Sequence, residues 1–341
     1  MKKSRVGIIG VTGYAGAELL RLLLEHPGAE VVKIAARSAE GRPLGEIYPG
    51  LAGTGLVCTS PSDSFSECDF VFTALPHGVS MEYIPALRAG GSRVIDLGAD
   101  FRFQDPELYA KVYQSQHQAA DLLAESVYGL VEFYRDEVRE ARIVGNPGCY
   151  PTAVLLGLRP LLAAGIVHSE GIIIDAKSGV SGAGRGLSQD RLFGELNENF
   201  RAYKVVGHRH TAEISHYSGA DIQVTFTPHL LPLQRGILAT MYLTLKPGVP
   251  ASTVFEVWAE AYHEAPFVHP HPRGVIPELR WVVRSNCCHL GYDYDPELSR
   301  VIVVSVIDNL LKGAAGQGVQ NFNIMAGLPE ETGLPLYSPV V

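Results

Sequence analysis

The stretch RVGIIGVTGYAGAELLRLLLEH (residues 5–26) joins a short β-branched run to a segment whose apolar residues recur at helical spacing. Glycines stand between the two at positions 10, 13 and 16. A strand, a tight glycine turn and a helix N-terminus together form a site for a pyrophosphate, because backbone N–H groups point outward there and glycine permits close approach. The turn is predicted to bind a dinucleotide, although a glycine turn that only packs is the alternative. The predicted contacts are Gly10, Thr12, Gly13, Tyr14, Ala15 and Gly16.

The end of the second strand indicates which dinucleotide binds. An NAD site usually places Asp or Glu there, to hold the ribose 2′-hydroxyl. The segment AEVVKIAARS (29–38) ends instead in Arg37 and Ser38. A guanidinium and a hydroxyl fit a 2′-phosphate, so NADP(H) is favoured, with a solvated arginine on a loop as the alternative.

Strands and helices alternate through the first half of the chain, which predicts an α/β fold with a Rossmann-type, doubly wound parallel sheet. Further strands are expected within 69–76, 92–100 and 142–147. Ligands of such sheets bind outside the carboxyl ends of the strands. Asp100, Arg102 and Asn146 follow two of these ends and are predicted to contact a charged substrate.

One cysteine lies in a turn shaped by glycine and proline, GNPGCYPTAV (145–154). Pro151 suits the first position of a helix, and Pro160 is expected to kink or end that helix. Cys149 would then lie just ahead of a helix N-terminus, which favours the thiolate and can stabilise an oxyanion. Cys149 is therefore predicted to be a nucleophile, with a buried structural cysteine as the alternative. The remaining cysteines are interpreted as structural: Cys58, Cys68, Cys287 and Cys288.

The second half predicts an α+β catalytic domain with a mixed sheet. A buried-type strand in 171–186 runs into a loop rich in glycine and serine, which can line a cofactor site. Its predicted cofactor contacts are Ser178, Gly179, Ser181 and Gly182. Arg235 is expected in the middle of this sheet, where a buried charge is costly unless paired, and is predicted to contact substrate.

The segment YKVVGHRHTAEI (203–214) concentrates ionisable side chains. A cysteine nucleophile needs a proton partner, and histidine titrates near neutrality, so His208 is the first candidate and His210 the second. Arg209 is predicted to bind an acidic substrate, and Glu213 to orient a histidine within the substrate site. No carboxylate or cysteine completes a metal site with these histidines, so no metal is expected.

The C-terminal segment 301–327 predicts a strand followed by a helix of small residues that returns to the first domain. Asn309 and Gly313 at this junction are predicted to lie near the nicotinamide. The expected domains are 1–148 with 312–341 for the cofactor, and 149–311 for catalysis, substrate and oligomerisation.

Composition excludes several classes of partner. The net charge is −8 and no basic stripe occurs, which argues against nucleic acid and anionic membranes. No run approaches the roughly 20 apolar residues of a membrane span. The five cysteines show no CxxC spacing or disulfide framework, which is typical of a reducing compartment, so a cytoplasmic location is expected.

Taken together, the motifs resemble the N-acetyl-γ-glutamyl-phosphate reductases, within the wider aspartate-semialdehyde dehydrogenase group. The matching stretches span nearly the whole chain: GVTGYAG, ALPHG, DLGADFR, GNPGCYPT, KSGVSGAGRG, GHRHTAEI, TPHLLPLQRGI and DNLLKGAAGQGVQN. GNPGCYPT together with GHRHTAEI is specific, whereas the glycine turn alone is not.

The resemblance implies an NADPH-dependent reductase of arginine biosynthesis that acts on a small acyl phosphate. Cys149 would form a thioester with loss of phosphate, and hydride transfer would release N-acetyl-glutamate 5-semialdehyde. The resemblance also implies a homo-oligomer, either a dimer or a tetramer. The alternatives are a reductase of aspartyl phosphate or of carrier-bound aminoadipyl phosphate, a non-catalytic NADP-binding sensor, and a cysteine hydrolase.

Overall fold

The computed structural model describes residues 2–339, and these divide into two compact units. The first comprises the described residues within Met1–Pro147 and Ala314–Leu334; the second comprises those within Gly148–Gly313 and Pro335–Val341. The segment that returns to the first unit is Ala314–Leu334, which is shorter at both ends than the expected 312–341. Met1, Val340 and Val341 lie outside the described residues. The tail joins the second unit because the Asn286 N–H donates to the Pro335 carbonyl at 2.7 Å.

The first unit holds a seven-stranded sheet in which every pair of neighbouring strands is parallel. Its strands are β1 Ser4–Ile9, β2 Ala29–Ala35, β3 Cys58–Thr59, β4 Phe70–Thr73, β5 Arg93–Asp96, β6 Ser126–Tyr128 and β7 Ile143–Gly145, in the spatial order β3-β2-β1-β4-β5-β7-β6. Its helices are α1 Tyr14–Glu25, α2 Leu44–Ile47, α3 Ser80–Ala89, α4 Pro106–Tyr113, α5 Val131–Glu140 and α10 Gly316–Met325. This confirms the predicted doubly wound fold.

The order of the strands reverses direction at β1, which has β2 on one side and β4 on the other. The central strands are apolar on both faces because helices cover both sides of a parallel sheet. Val6, Ile8 and Ile9 of β1 are fully buried, as are Val71 and Phe72 of β4. The carboxyl ends of β1 and β4 therefore lie side by side, which is where a doubly wound sheet binds its ligand.

The second unit holds a mixed seven-stranded sheet, as expected. Its strands are β8 Ile172–Gly179, β9 Arg201–Ala202, β10 Val224–Leu231, β11 Ile237–Thr244, β12 Val268–Pro270, β13 Cys288–Asp295 and β14 Arg300–Ile307, in the spatial order β12-β13-β14-β11-β8-β10-β9. Its helices are α6 Cys149–Ala163, α7 Phe193–Leu196, α8 Arg209–Tyr217 and α9 Thr253–Ala261. A π-helical turn at Leu311–Ala315 precedes α10.

Helix α6 begins two residues earlier than the sequence predicts. Gly148 is its N-cap, Cys149 is its first residue and Pro151 is therefore its third. Helix α6 also continues through Pro160 to Ala163. A proline at position 160 removes the N–H that would bond the carbonyl four residues earlier.

The side chain at the C-cap of α9 replaces the missing helical contact, and a second side chain, from α9 itself, contacts the next carbonyl. The Tyr262 hydroxyl donates to the Leu156 carbonyl at 2.6 Å, and the Trp258 indole donates to the Gly157 carbonyl at 2.9 Å. Leu156 is the residue whose carbonyl loses its usual donor at Pro160. The helix therefore passes through Pro160 because tertiary contacts satisfy its backbone.

Arg235 lies in the turn between β10 and β11, so the expected position in the middle of the sheet is wrong. The strand pattern ends at Leu231 and resumes at Ile237, because Gly236 has a φ of 109° and ends the extended run. The Arg235 guanidinium lies 3.5 Å from Asp308 Oδ2. The charge is thus paired, as a largely buried charge requires.

The contact at Pro160 generates a stability prediction. Tyr262→Phe should lower the free energy of unfolding by about 1–3 kcal/mol, because the buried Leu156 carbonyl loses its donor. In a Pro160→Ala background the N–H of residue 160 can bond that carbonyl, so the same change should cost less. Urea unfolding of the four proteins measures this coupling; equal losses in both backgrounds would contradict it.

Candidate active site

The glycine turn after β1 has one open position between two crowded ones. A Cβ on Gly10, whose φ is 98°, would lie 2.3 Å from the Ala74 carbonyl oxygen. A Cβ on Gly16 would lie 2.2 Å from the Gly10 oxygen, whereas one on Gly13 would meet nothing closer than 3.7 Å. Gly10 and Gly16 therefore pack the turn, and Gly13, the N-cap of α1, leaves space for a phosphate above the helix end. The turn fits a dinucleotide.

The other predicted contacts of this turn are accessible. Thr12 and Ala15 are partly exposed, and Tyr14 is 42% exposed. The Thr12 hydroxyl lies 3.4 Å from that of Ser38, so the structure brings the turn and the end of β2 together.

Arg37 follows β2 and is held by two residues that the sequence analysis missed. Its guanidinium donates to Glu82 at 2.8 Å and to the Tyr83 hydroxyl, and it stacks 5.6 Å from the centre of the Tyr83 ring. The side chain remains 67% exposed. No local signal predicts this contact, because the partners are 45 and 46 residues away along the chain.

The carboxyl end of β5 carries two buried carboxyl groups. Asp96 accepts hydrogen bonds from Thr73, Ser80 and Gly98, all through Oδ1. Burial, followed by the charge of Asp100, raises the pKa of Asp96 to about 6.

Asp100 holds the loop after β4. It accepts from the Gly78 and Ser80 amides and lies 2.8 Å from His77 Nδ1. The pKa of Asp100 is lowered although burial alone would raise it, because the hydrogen bond and charge of His77 and the loop amides favour the ionised form. The two carboxyl groups thus titrate in different ranges.

Two predicted substrate contacts of the first unit are buried. Arg102 is 6% exposed and donates to the carbonyls of Asn146 and Leu97. Asn146 is 1% exposed, donates to the Ala314 carbonyl and accepts from Asn321. These contacts orient backbone; the substrate roles of both residues stay predictions.

Cys149 opens α6 and is the half-exposed member of the five cysteines, all of which lie within the described residues; the other four are buried. Burial raises the pKa of Cys68 to about 11, so that thiol stays protonated. A Cβ on Gly313 would lie 2.8 Å from the Cys149 Cβ. Gly313 therefore leaves room for the cysteine, and its predicted cofactor contact stays a prediction.

The two histidines meet in a cluster of rings at the start of α8. His208 is the N-cap, and its Nδ1 accepts from the His210 amide at 3.1 Å, so the neutral ring carries its proton on Nε2. The rings of Tyr150, Tyr203 and Phe226 lie within 6.0 Å of the His208 ring. Burial, followed by the charges of Arg209 and Lys204, lowers the pKa of His208 to about 4. His208 is thus neutral at pH 7.

Tyr150 connects this cluster to the cysteine, because it follows Cys149 in α6 and also packs against His210 at 5.9 Å. Its hydroxyl donates to the His229 carbonyl. The structure therefore brings the segment of Cys149 and the segment of the histidines together within the second unit. Arg209, the first residue of α8, is exposed.

The loop after β8 is tied to Asn309 and the turn at Arg235. The Asn309 amide group donates to Ser181, and its oxygen accepts from the Gly236 N–H at 2.7 Å. The hydroxyls of Ser178 and Ser181 donate to backbone carbonyls. Gly179 is buried and Gly182 is exposed. The predicted cofactor contacts here lie together at the end of β8 and in the loop that follows it, with Gly182 at the surface.

Residues 2–339 contain neither a membrane-spanning helix nor a cluster of metal-binding side chains. No helix there combines the length and apolar character needed to cross a membrane. No group of three or more His, Cys, Asp or Glu side chains in that range could hold a metal ion.

The two units match the two domains of the semialdehyde dehydrogenases. Residues 5–141 match the NAD binding domain of that family, and residues 149–309 match its dimerisation domain. Solved structures with this fold include aspartate semialdehyde dehydrogenase II of Vibrio cholerae, complexed with ASA, with a TM-score of 0.73, 17% identity and coverage of 96% of this chain and 99% of that one. Another is aspartate semialdehyde dehydrogenase with NADP from Candida albicans, with a TM-score of 0.67, 18% identity and coverage of 95% and 99%.

Sequence relatives place the chain within this class. A protein of Symbiobacterium thermophilum named N-acetyl-gamma-glutamyl-phosphate reductase is 52% identical over 98% of this chain and 99% of its own length. Relatives of the same name from Pelotomaculum thermopropionicum and Synechocystis are 49% and 46% identical, and each match covers at least 97% of both chains. The chain belongs to the N-acetyl-γ-glutamyl-phosphate reductase family, which confirms the resemblance and makes it an oxidoreductase.

The carboxyl pair at β5 predicts a pH-dependent difference in stability. The raised pKa of Asp96 means that the folded protein binds this proton more tightly than the unfolded chain does. The contribution of Asp96 to the free energy of unfolding therefore falls as the pH rises from about 4 to about 6. Asn keeps an acceptor oxygen and cannot ionise. The difference in free energy of unfolding between Asp96→Asn and the unsubstituted protein should therefore change by about 1–3 kcal/mol, in favour of the variant, as the pH rises from 4 to 7.

Urea unfolding at several pH values measures this difference. Asp105→Asn is the matched control, because Asp105 is an exposed N-cap and Asn caps equally well. A difference for Asp96→Asn that stays constant with pH would contradict the assignment.

Proposed function

We propose that the chain reduces N-acetyl-γ-glutamyl phosphate with NADPH, giving N-acetyl-glutamate 5-semialdehyde and phosphate through a thioester on Cys149. The half-exposed position of Cys149 at the first turn of α6 carries this proposal, since the other four cysteines are buried. The substrate is the one in the names of relatives at 46–52% identity over nearly the whole chain.

The chemistry needs a thiolate and a stabilised oxyanion. The Cys149 sulfur attacks the acyl carbon, phosphate leaves with the electrons of the broken C–O bond, and a thioester remains. When bound, NADPH supplies the hydride that reduces the acyl carbon. The resulting alkoxide re-forms the carbonyl, and the C–S bond breaks to release the thiolate and the aldehyde. Amides of the first turn of α6 favour negative charge on sulfur and oxygen alike.

We assign the donation of a proton to the departing phosphate to His208, with His210 as the second candidate. Both histidines pack against the ring of Tyr150, the residue that follows Cys149 in the sequence. Neutral His208 offers Nε2–H as a donor at pH 7. Arg209, exposed beside them, is the proposed contact for a substrate carboxylate.

The proposed cofactor is NADP(H) because Arg37 is exposed where a 2′-phosphate would need a cation. Gly13 at the N-cap of α1 would approach the pyrophosphate, with Thr12 and Ser38 nearby. Glu82 and Tyr83 already hold the Arg37 guanidinium in one orientation, so less of its conformational freedom remains to be lost on binding.

We also propose a homo-oligomer, formed through the second unit. The family description of residues 149–309 as a dimerisation domain supports this, as does the sheet itself. Tyr242 pairs with Ile173 and Ile302 on neighbouring strands, and Ile173 is 40% exposed. A cytoplasmic location fits five cysteines that all remain thiols.

Replacing the nucleophile tests the function. Cys149→Ser should lower turnover at least a thousandfold, on the order of losses seen for other covalent nucleophiles, while NADPH binding stays unchanged. The assay follows NADPH consumption with the acyl phosphate, and the reverse oxidation of the semialdehyde with phosphate. Cys68→Ser, a buried cysteine of the first unit, is the matched control and should remain active. Turnover of Cys149→Ser near that of the control would refute the proposal.

Replacing Arg37 tests the cofactor. Arg37→Ala should weaken NADPH binding by about tenfold or more, the value of a charge-assisted pair, and leave NADH binding unchanged. Titration calorimetry with both cofactors measures the two dissociation constants. Arg42→Ala removes an exposed arginine of the same unit and should change neither. Equal losses for NADPH and NADH would contradict the assignment to the 2′-phosphate.

A further inference from the structure

A buried carboxylate contacts the residue that precedes the cysteine. Glu213 lies in α8 and has no exposed surface. Its Oε1 accepts a hydrogen bond from the Gly148 N–H at 2.8 Å. Gly148 is the N-cap of α6 and has no side chain to cap that helix, so this contact joins the start of α6 to the middle of α8.

The same pair of helices carries the other reactive groups. Cys149 is the first residue of α6, and His208 is the N-cap of α8. The two helices also meet through Tyr150, whose ring packs on those of His208 and His210. A change at Glu213 would therefore alter the backbone directly before the sulfur and the spacing between cysteine and histidines.

Burying a carboxylate is costly unless hydrogen bonds compensate it, so a fully buried glutamate needs a structural or functional reason. The sequence analysis expected Glu213 to orient a histidine. That role stays a prediction, and the described contact, at 2.8 Å, is between Oε1 and the amide next to the cysteine.

We propose that Glu213 is a positioning residue that fixes the Gly148 amide and thereby sets the orientation and reactivity of the Cys149 thiolate. The inference rests on the proposed function, because it takes Cys149 to be the nucleophile. By occupying the amide of the N-cap, the carboxylate removes that amide from the donors open to an acyl oxyanion. Its negative charge also limits how far the helix end stabilises the thiolate.

Two substitutions separate the hydrogen bond from the charge. Glu213→Gln keeps an acceptor for the Gly148 N–H and removes the charge, whereas Glu213→Ala removes both. Glu256→Gln, on the exposed surface of α9 in the same unit, is the matched control. The measurements on the full chain are kcat and KM, together with the rate of iodoacetamide alkylation at Cys149 across pH, read by peptide mass spectrometry.

Glu213→Gln should shift the pH midpoint of alkylation down by about half a unit to one unit, because a nearby like charge is gone. It should keep kcat within about fivefold. Glu213→Ala should lower kcat by about 30–100-fold with KM within about threefold, since small misplacement of a nucleophile costs about this much. The control should match the unsubstituted protein in every measurement.

An alkylation profile of Glu213→Gln identical to that of the control overturns the inference, whatever happens to kcat. If Glu213→Ala fails to fold, the profile of Glu213→Gln decides alone. The result is independent of the proposed function, because alkylation needs neither acyl phosphate nor NADPH. Retained turnover in Cys149→Ser would refute the function, whereas an inactive Cys149→Ser with an unshifted Glu213→Gln would refute only this inference.

Discussion

Close backbone contacts at glycine are the constraint on which both units depend. In the first unit, a side chain on Gly10 would collide with the carbonyl of Ala74, which directly follows β4. In the second, a side chain on Gly313 would collide with the Cys149 Cβ. Such contacts bring loops from different strands within van der Waals distance, and only glycine permits this. Backbone packing at these glycines therefore helps to fix the positions of the loops.

Buried polar groups then fix the orientation of those loops. Asp100 accepts hydrogen bonds from the amides of Gly78 and Ser80, and Glu213 accepts one from the amide of Gly148. His208 caps its own helix with a ring nitrogen. Each of these groups is buried and makes a hydrogen bond to the backbone. Its burial therefore costs less free energy than that of an unpaired group, and the hydrogen bond restricts the conformation of the loop.

The sequence predicted the features that local pattern determines. The parallel sheet follows from alternating apolar runs, and the glycine turn follows from its flanking strand and helix. Cys149 is predicted to be the nucleophile because glycine and proline around it are unusual for a core cysteine, and the structure gives it more exposure than the other four. None of these needs knowledge of distant residues.

Features that depend on distant residues were missed. The start and continuation of α6 require Glu213 and Tyr262, which lie 65 and 106 residues away from their partners. The orientation of Arg37 requires Glu82 and Tyr83. Arg235 was placed in a strand because its apolar neighbours continue the pattern, whereas the backbone at Gly236 interrupts it.

The helices differ in whether their first turn carries an acidic side chain. Helices α3, α4, α5 and α9 each carry a glutamate in the first turn, which neutralises the positive end of the helix. Helices α1, α6, α8 and α10 carry none, and of these α1 begins at the cofactor turn and α6 at Cys149. At α1 the positive end meets no acidic side chain of the first turn, which is what the proposed pyrophosphate contact needs. At α6 the carboxylate of Glu213, supplied from another helix, takes the N-cap amide. A buried glutamate 65 residues away thus does for α6 what a first-turn glutamate does for α3, α4, α5 and α9, and the proposed role of Glu213 rests on this contact.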